Sequence, residues 1–149
     1  MSEDASVTKD LIETAKDGQE GYAKGADKLA DSNAPDLAET FRRYSEQRAK
    51  FATELQQLAQ SYGDDIDKSG SVAGAVHRGW MAVKDALAGS DDPGGVLDAA
   101  EQGEDHAVSE YKKALDSDIS PELRMVVQRQ YADVQAAHDQ IRSLREARS

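Results

Sequence analysis

The 149-residue sequence contains no cysteine, which excludes disulfides, thiolate catalysis, Fe–S clusters and cysteine-ligated zinc. No apolar run approaches the roughly 20 residues that a membrane-spanning helix needs. The opening residues, MSEDAS, lack a basic segment followed by an apolar one, so we expect no signal peptide. These absences predict a soluble, cytoplasmic protein.

Positive charge is also scarce, because 18 lysines and arginines face 29 aspartates and glutamates, a net charge of −11. Nucleic acids and anionic membranes repel such a surface, so we expect neither as a partner. Apolar residues make up only 38% of the chain, which is low for a globular domain. The length nevertheless corresponds to one domain, which we predict to span residues 1–149.

What the sequence does contain is helical periodicity. Its three prolines each stand where a helix would begin, and between them apolar residues recur at spacings of three and four. Strand-like alternation is absent. The pattern predicts an all-α protein with four long helices over 7–31, 35–62, 93–116 and 121–147.

The lengths of the connections suggest the topology. The first and third connections are short, which makes the joined helices antiparallel neighbours. The second connection, residues 63–92, is longer and carries its own helical pattern at 71–88. A crossover helix there would make the second and third long helices parallel, as in a ferritin-like four-helix bundle. An up-down-up-down bundle with a fifth helix packed on one end is the alternative.

Several segments resemble a known family. The run GSVAGAVHRGW lies at 70–80, and shorter matches are Gln47-Arg48-Ala49, Gly103-Glu104-Asp105, Gln130-Tyr131 and His138-Asp139. Over about 8–147 the chain resembles a bacterial family of small ferritin-like bundles that is carried as a domain of unknown function. The resemblance implies a ferritin-like bundle, and it implies no particular reaction.

Ferritin-like di-iron centres use an inward glutamate on two helices and Glu-x-x-His on the other two. In this sequence only Glu101, Glu104 and His138 lie near an inward face, and Gln135 stands where the second motif requires a glutamate. Three ligands on two adjacent helices do not form the usual di-metal pair. We therefore expect no metal cofactor, with iron or manganese at these three residues as the alternative.

A buried polar layer is predicted in place of a metal centre. Four polar residues each lie 12 to 15 residues from a short connection, near the middle of the bundle and on or beside its inward faces. They are Gln19, Arg48, Glu104 and Gln130. Since a lone buried charge costs several kcal/mol, we expect Arg48 and Glu104 to pair, with the glutamines or tyrosine hydroxyls completing the hydrogen bonds. Alternatively, the Arg48 head reaches solvent while its stem covers the core.

The sequence shows no catalytic residues. We expect a non-catalytic bundle with a stress-related or interaction role. It could form a homodimer, and the sequence does not identify another protein partner. The alternative is an iron- or manganese-dependent oxidative protein. A small-molecule carrier, with its pocket between crossover and bundle, is a third reading that rests only on tyrosines and glycines.

Overall fold

The computed structural model describes residues 3–61 and 93–148, and all regular secondary structure in these ranges is α-helical. The four helices are α1 (Asp4–Asp31), α2 (Pro35–Gln60), α3 (Pro93–Leu115) and α4 (Pro121–Arg148). The all-α prediction is confirmed for this part of the chain. The predicted crossover helix at 71–88 lies outside the described residues.

The helices begin where the prolines suggested, apart from α1. Pro35, Pro93 and Pro121 each open a helix, as a residue without a backbone N–H can do at no cost. However, α1 begins at Asp4, three residues before the predicted start, and α2 ends at Gln60, two residues before the predicted end.

The early start of α1 has a visible cause in its contacts with the α3–α4 connection. The backbone N–H of Glu3 donates to the Asp118 carbonyl (2.7 Å), and the Asp118 N–H donates to Glu3 Oε2 (2.7 Å). The N–H of Ser120 donates to Asp4 Oδ1 (2.8 Å). These bonds order the first turn of α1 and also satisfy two backbone donors in the α3–α4 connection.

Contacts between helices establish their directions. Glu3 lies beside Asp118 at one end, and Gly25 lies near Val96 at the other, so α1 and α3 are antiparallel. Because the short link after Asp31 makes α1 and α2 antiparallel as well, α2 and α3 run parallel. The end of α2 and the start of α3 therefore lie at opposite ends of the helices.

The core consists of two apolar clusters with a polar level between them. One cluster joins Leu11, Leu55, Tyr111 and Leu123 with their neighbours, and the other includes Leu29, Phe41, Leu97 and Ile141. Between the two, α2 places Arg48 and α3 places Glu104, both buried. No helix in the described ranges combines the length and apolarity needed to cross a membrane.

Candidate functional site

The centre of the polar level is an ion pair between α2 and α3. Arg48 is 1% exposed and Glu104 is 0% exposed. Arg48 Nη1 donates to Glu104 Oε1 (2.6 Å), and Nη2 donates to Oε2 (2.7 Å). Two parallel charge-assisted bonds of this kind fix both distance and orientation.

Neighbouring residues shape the space around the guanidinium. Arg48 Nε donates to Gln47 Oε1 (3.2 Å), and its Cζ lies 5.4 Å from the centre of the Tyr22 ring. On α1, a Cβ added to Gly18 would lie 3.3 Å from both Cγ and Nη1 of Arg48. The missing side chain at position 18 thus lets α1 pack directly on the arginine.

Burial and the neighbouring charge shift the pKa of Arg48 in opposite directions. Burial by itself lowers the pKa of Arg48, but the Glu104 carboxylate, together with Tyr22 and Tyr111, raises it by more. The pKa of Arg48 therefore ends above its ordinary value, and the guanidinium stays charged. Arg48 therefore contributes a full positive charge to its contact with Glu104.

The Arg48–Glu104 pair also affects the pKa values of two fully buried tyrosines, Tyr22 and Tyr111. Burial is the main cause that raises the pKa of Tyr22 well above its ordinary value, and Glu104 raises it further while Arg48 opposes. Burial also raises the pKa of Tyr111, with Arg48 opposing. Both hydroxyls therefore remain neutral and keep their protons for hydrogen bonding.

Gln130 on α4 forms a second buried polar group beside the pair. Tyr111 Oη donates to Gln130 Oε1 (2.6 Å), and Gln130 Nε2 donates to Glu54 Oε1 (2.8 Å). Glu54 also pairs with Arg129, which is half exposed. This set of hydrogen bonds joins α2, α3 and α4 and extends from the core to the surface.

Gln19, the fourth residue expected in the layer, is elsewhere, and that expectation is corrected. Its side chain is exposed, and only its backbone carbonyl is used, as an acceptor from Ser45 Oγ (2.8 Å). The reason is rotation along the helix, because Gln19 follows Gly18 by one residue and so points about 100° away from it.

The three alternative metal ligands each bind a different partner. Glu101 pairs with Arg145 (2.8 Å) and Arg142 (3.3 Å), while His138 Nε2 lies 2.6 Å from Asp105 Oδ1. Glu104 is held by Arg48. Across residues 3–61 and 93–148, no group of three or more His, Cys, Asp or Glu side chains is arranged to hold a metal.

Sequence reasoning missed several polar residues around this level. Glu54 bonds Gln130, Asp105 faces His138, and Asp17 on α1 is fully buried. Glu54 and Asp105 are direct chain neighbours of Leu55 and Glu104, which point inward. Their position next to inward-facing residues was therefore a signal. However, the spacing of residues along a helix cannot distinguish such edge positions from solvent-facing ones.

Two comparisons with known proteins bear on the chain. A family model described as a domain of unknown function (DUF2383) matches residues 5–117, which span α1, α2 and α3. No curated protein matches the chain significantly. Within the matched range lie both members of the buried ion pair, whereas α4 with Gln130 and His138 lies beyond it.

Proposed function

The chain belongs to the DUF2383 family, whose description assigns no reaction, and we propose that it is a non-catalytic, ferritin-like bundle with a structural ion pair in its centre. In this proposal residues 1–149 form one cytoplasmic domain, in which α2 and α3 run parallel as in a ferritin-like bundle. The protein acts through its surface, in an interaction or stress-related role, without metal or other cofactor.

The observation that supports this proposal is the pairing of Arg48 with Glu104. A ferritin-like centre needs several inward carboxylates that share a metal ion. Here the fully buried carboxylate of α3 directs both oxygens to a guanidinium. A permanent cation at that position repels a metal ion, and it also uses the lone pairs that the metal would need.

The other two candidate metal ligands also have partners of their own. Glu101 is held by two arginines, and His138 lies beside Asp105 at the α3–α4 boundary. The residues present therefore do not fit a di-metal centre, and we derive no reaction through one. The ion pair has a structural role instead, since it joins α2 to α3 in a single register.

Metal analysis tests the proposal. Protein without a histidine tag is incubated anaerobically with Fe²⁺ or Mn²⁺, desalted and measured by elemental analysis, with a di-iron ferritin treated in parallel. We expect no stoichiometric metal and no shift in the unfolding midpoint. Two bound ions per chain, lost in Glu101→Ala and His138→Ala, would instead support the oxidative alternative.

A further inference from the structure

The outer face of α2 carries a regular row of charges. Arg43, Glu46, Lys50 and Glu54 fall within an arc of about 80° at 3.6 residues per turn. This arc points away from the buried face of α2, which includes Phe41, Arg48 and Leu55. The first three side chains are exposed and the fourth is partly exposed.

The charge that remains after the buried groups are set aside is balanced on α2 and α4 taken together and negative on the other two helices. Without the buried Asp4, Asp17, Arg48 and Glu104, α2 has four acids against three basic residues, α1 has five against four, and α3 has four against two. In α4, which shares contacts with α2, five arginines exceed four acids. Because the whole chain carries −11, two copies repel each other least where α2 and α4 face outward.

We propose that this α2 face is the contact between two copies of the chain, with the two α2 helices antiparallel about a two-fold axis. Along α2 the signs read positive, negative, positive, negative, and reversing the direction of a second copy inverts that order. Arg43 then faces Glu54 of the second copy, and Glu46 faces Lys50. A parallel pairing in register would place like charges opposite each other.

Three of the four charges of the row have no partner within the described residues and are available for such a contact. Within the described ranges Arg43, Glu46 and Lys50 form no hydrogen bond or ion pair through their side chains, while Glu20, Glu101 and Asp98 on other helices pair with basic residues. Glu54 already binds Arg129 at the edge of the face. A cleft of about 470 Å³ between α2 and α4, lined in part by Lys50, Arg129 and Asp133, leaves room beside the row for long side chains of the second copy.

This inference rests on the proposed non-catalytic function, in which the protein acts through its surface. The contact itself is electrostatic. Exposed ion pairs are weak singly and are screened by salt. We therefore expect a reversible dimer whose dissociation constant rises at least about tenfold between about 50 mM and about 500 mM NaCl.

Sedimentation equilibrium of the full-length protein and of three variants tests this contact. Lys50→Glu places glutamates opposite each other and should raise the dissociation constant at least about tenfold at low salt. The double variant Glu46→Lys, Lys50→Glu restores complementary signs with unchanged net charge, and it should dimerise like the parent. Lys112→Glu, on an exposed position of α3, changes net charge equally and should leave dimerisation within about twofold.

Two outcomes would overturn the contact. One is a monomer at every concentration and salt level, and the other is a dimer equally affected by Lys50→Glu and Lys112→Glu, or by neither. Failure of this inference is separate from failure of the proposed function, because mass reports the first and metal content reports the second.

Discussion

Arg48 and Glu104 lie face to face between two apolar clusters, and each is the other's principal partner in the core. The residues are 56 positions apart in the chain, on helices that run parallel. A bidentate pair this deeply buried tolerates little change in register, because a shift of one helix along the other would separate both bonds. We therefore expect the pair to contribute to the specificity of helix packing as well as to stability.

Removing one member of the pair should be costly. Arg48→Met leaves the Glu104 carboxylate buried without its cation, and we expect the free energy of unfolding to fall by about 3–5 kcal/mol. Urea denaturation measures this change, with the exposed Arg42→Met on the same helix as a control that should stay within about 0.5 kcal/mol. The double variant Arg48→Met, Glu104→Leu should recover most of the loss, since no charge is then buried. A loss below about 0.5 kcal/mol for Arg48→Met would show that the pair is not intact in solution.

Alanine substitutions of the two glutamines in the predicted polar layer should differ in their effect on stability. Gln130→Ala removes the acceptor of Tyr111 and a donor to Glu54, so we expect a loss of about 1–3 kcal/mol. Gln19→Ala changes an exposed side chain and should stay within about 0.5 kcal/mol. Equal effects of the two variants in thermal unfolding would contradict the positions described above.

A side chain added at Gly25 should lower stability. A Cβ at this position would lie 2.7 Å and 2.8 Å from Cδ2 and Cε2 of the Phe41 ring. Overpacking costs about 1–3 kcal/mol, while alanine gains about 1 kcal/mol in helix propensity, so Gly25→Ala should be destabilising by about 1 kcal/mol. In the Gly25→Ala background, Phe41→Leu should cost less than it does alone, because the smaller side chain removes the clash. Additive effects in this double-mutant cycle would exclude the close contact.

The buried tyrosines predict a loss of stability at high pH. Burial raises the pKa of Tyr22 and Tyr111 in the folded state above the ordinary value of about 10. Their contribution is fully present below about pH 10 and is lost as pH rises towards the folded pKa, because only the unfolded chain then releases these protons. Each such group should lower stability by up to about 1.4 kcal/mol per pH unit above pH 10.

Phenolate absorbance gives a direct measurement of this effect. At pH 11 the folded protein should show fewer ionised tyrosines than the same protein in urea, and Tyr111→Phe should reduce the difference by one tyrosine. Superimposable titration curves in the two states would refute the raised pKa values.

Local pattern in the sequence determined the helices and their inward faces. Prolines at 35, 93 and 121 mark helix starts, and spacings of three and four placed Arg48, Glu104 and Gln130 among residues that are buried in the structure. Such features are readable because helix geometry depends on neighbours within a few turns. The same reasoning failed for Gln19, where one residue of rotation separates a buried glycine from an exposed side chain.

Which side chains meet across the core depends on the tertiary arrangement of the helices. That Glu104 receives both hydrogen bonds of Arg48, that Gln130 bonds Tyr111 and Glu54, and that Phe41 packs on Gly25 all depend on the spacing and rotation of whole helices. The extension of α1 to Asp4 likewise comes from bonds to residues more than 100 positions away. Periodicity identifies the face that a helix buries, but the partner on the opposite helix is selected by packing and by the cost of leaving a buried polar group unsatisfied.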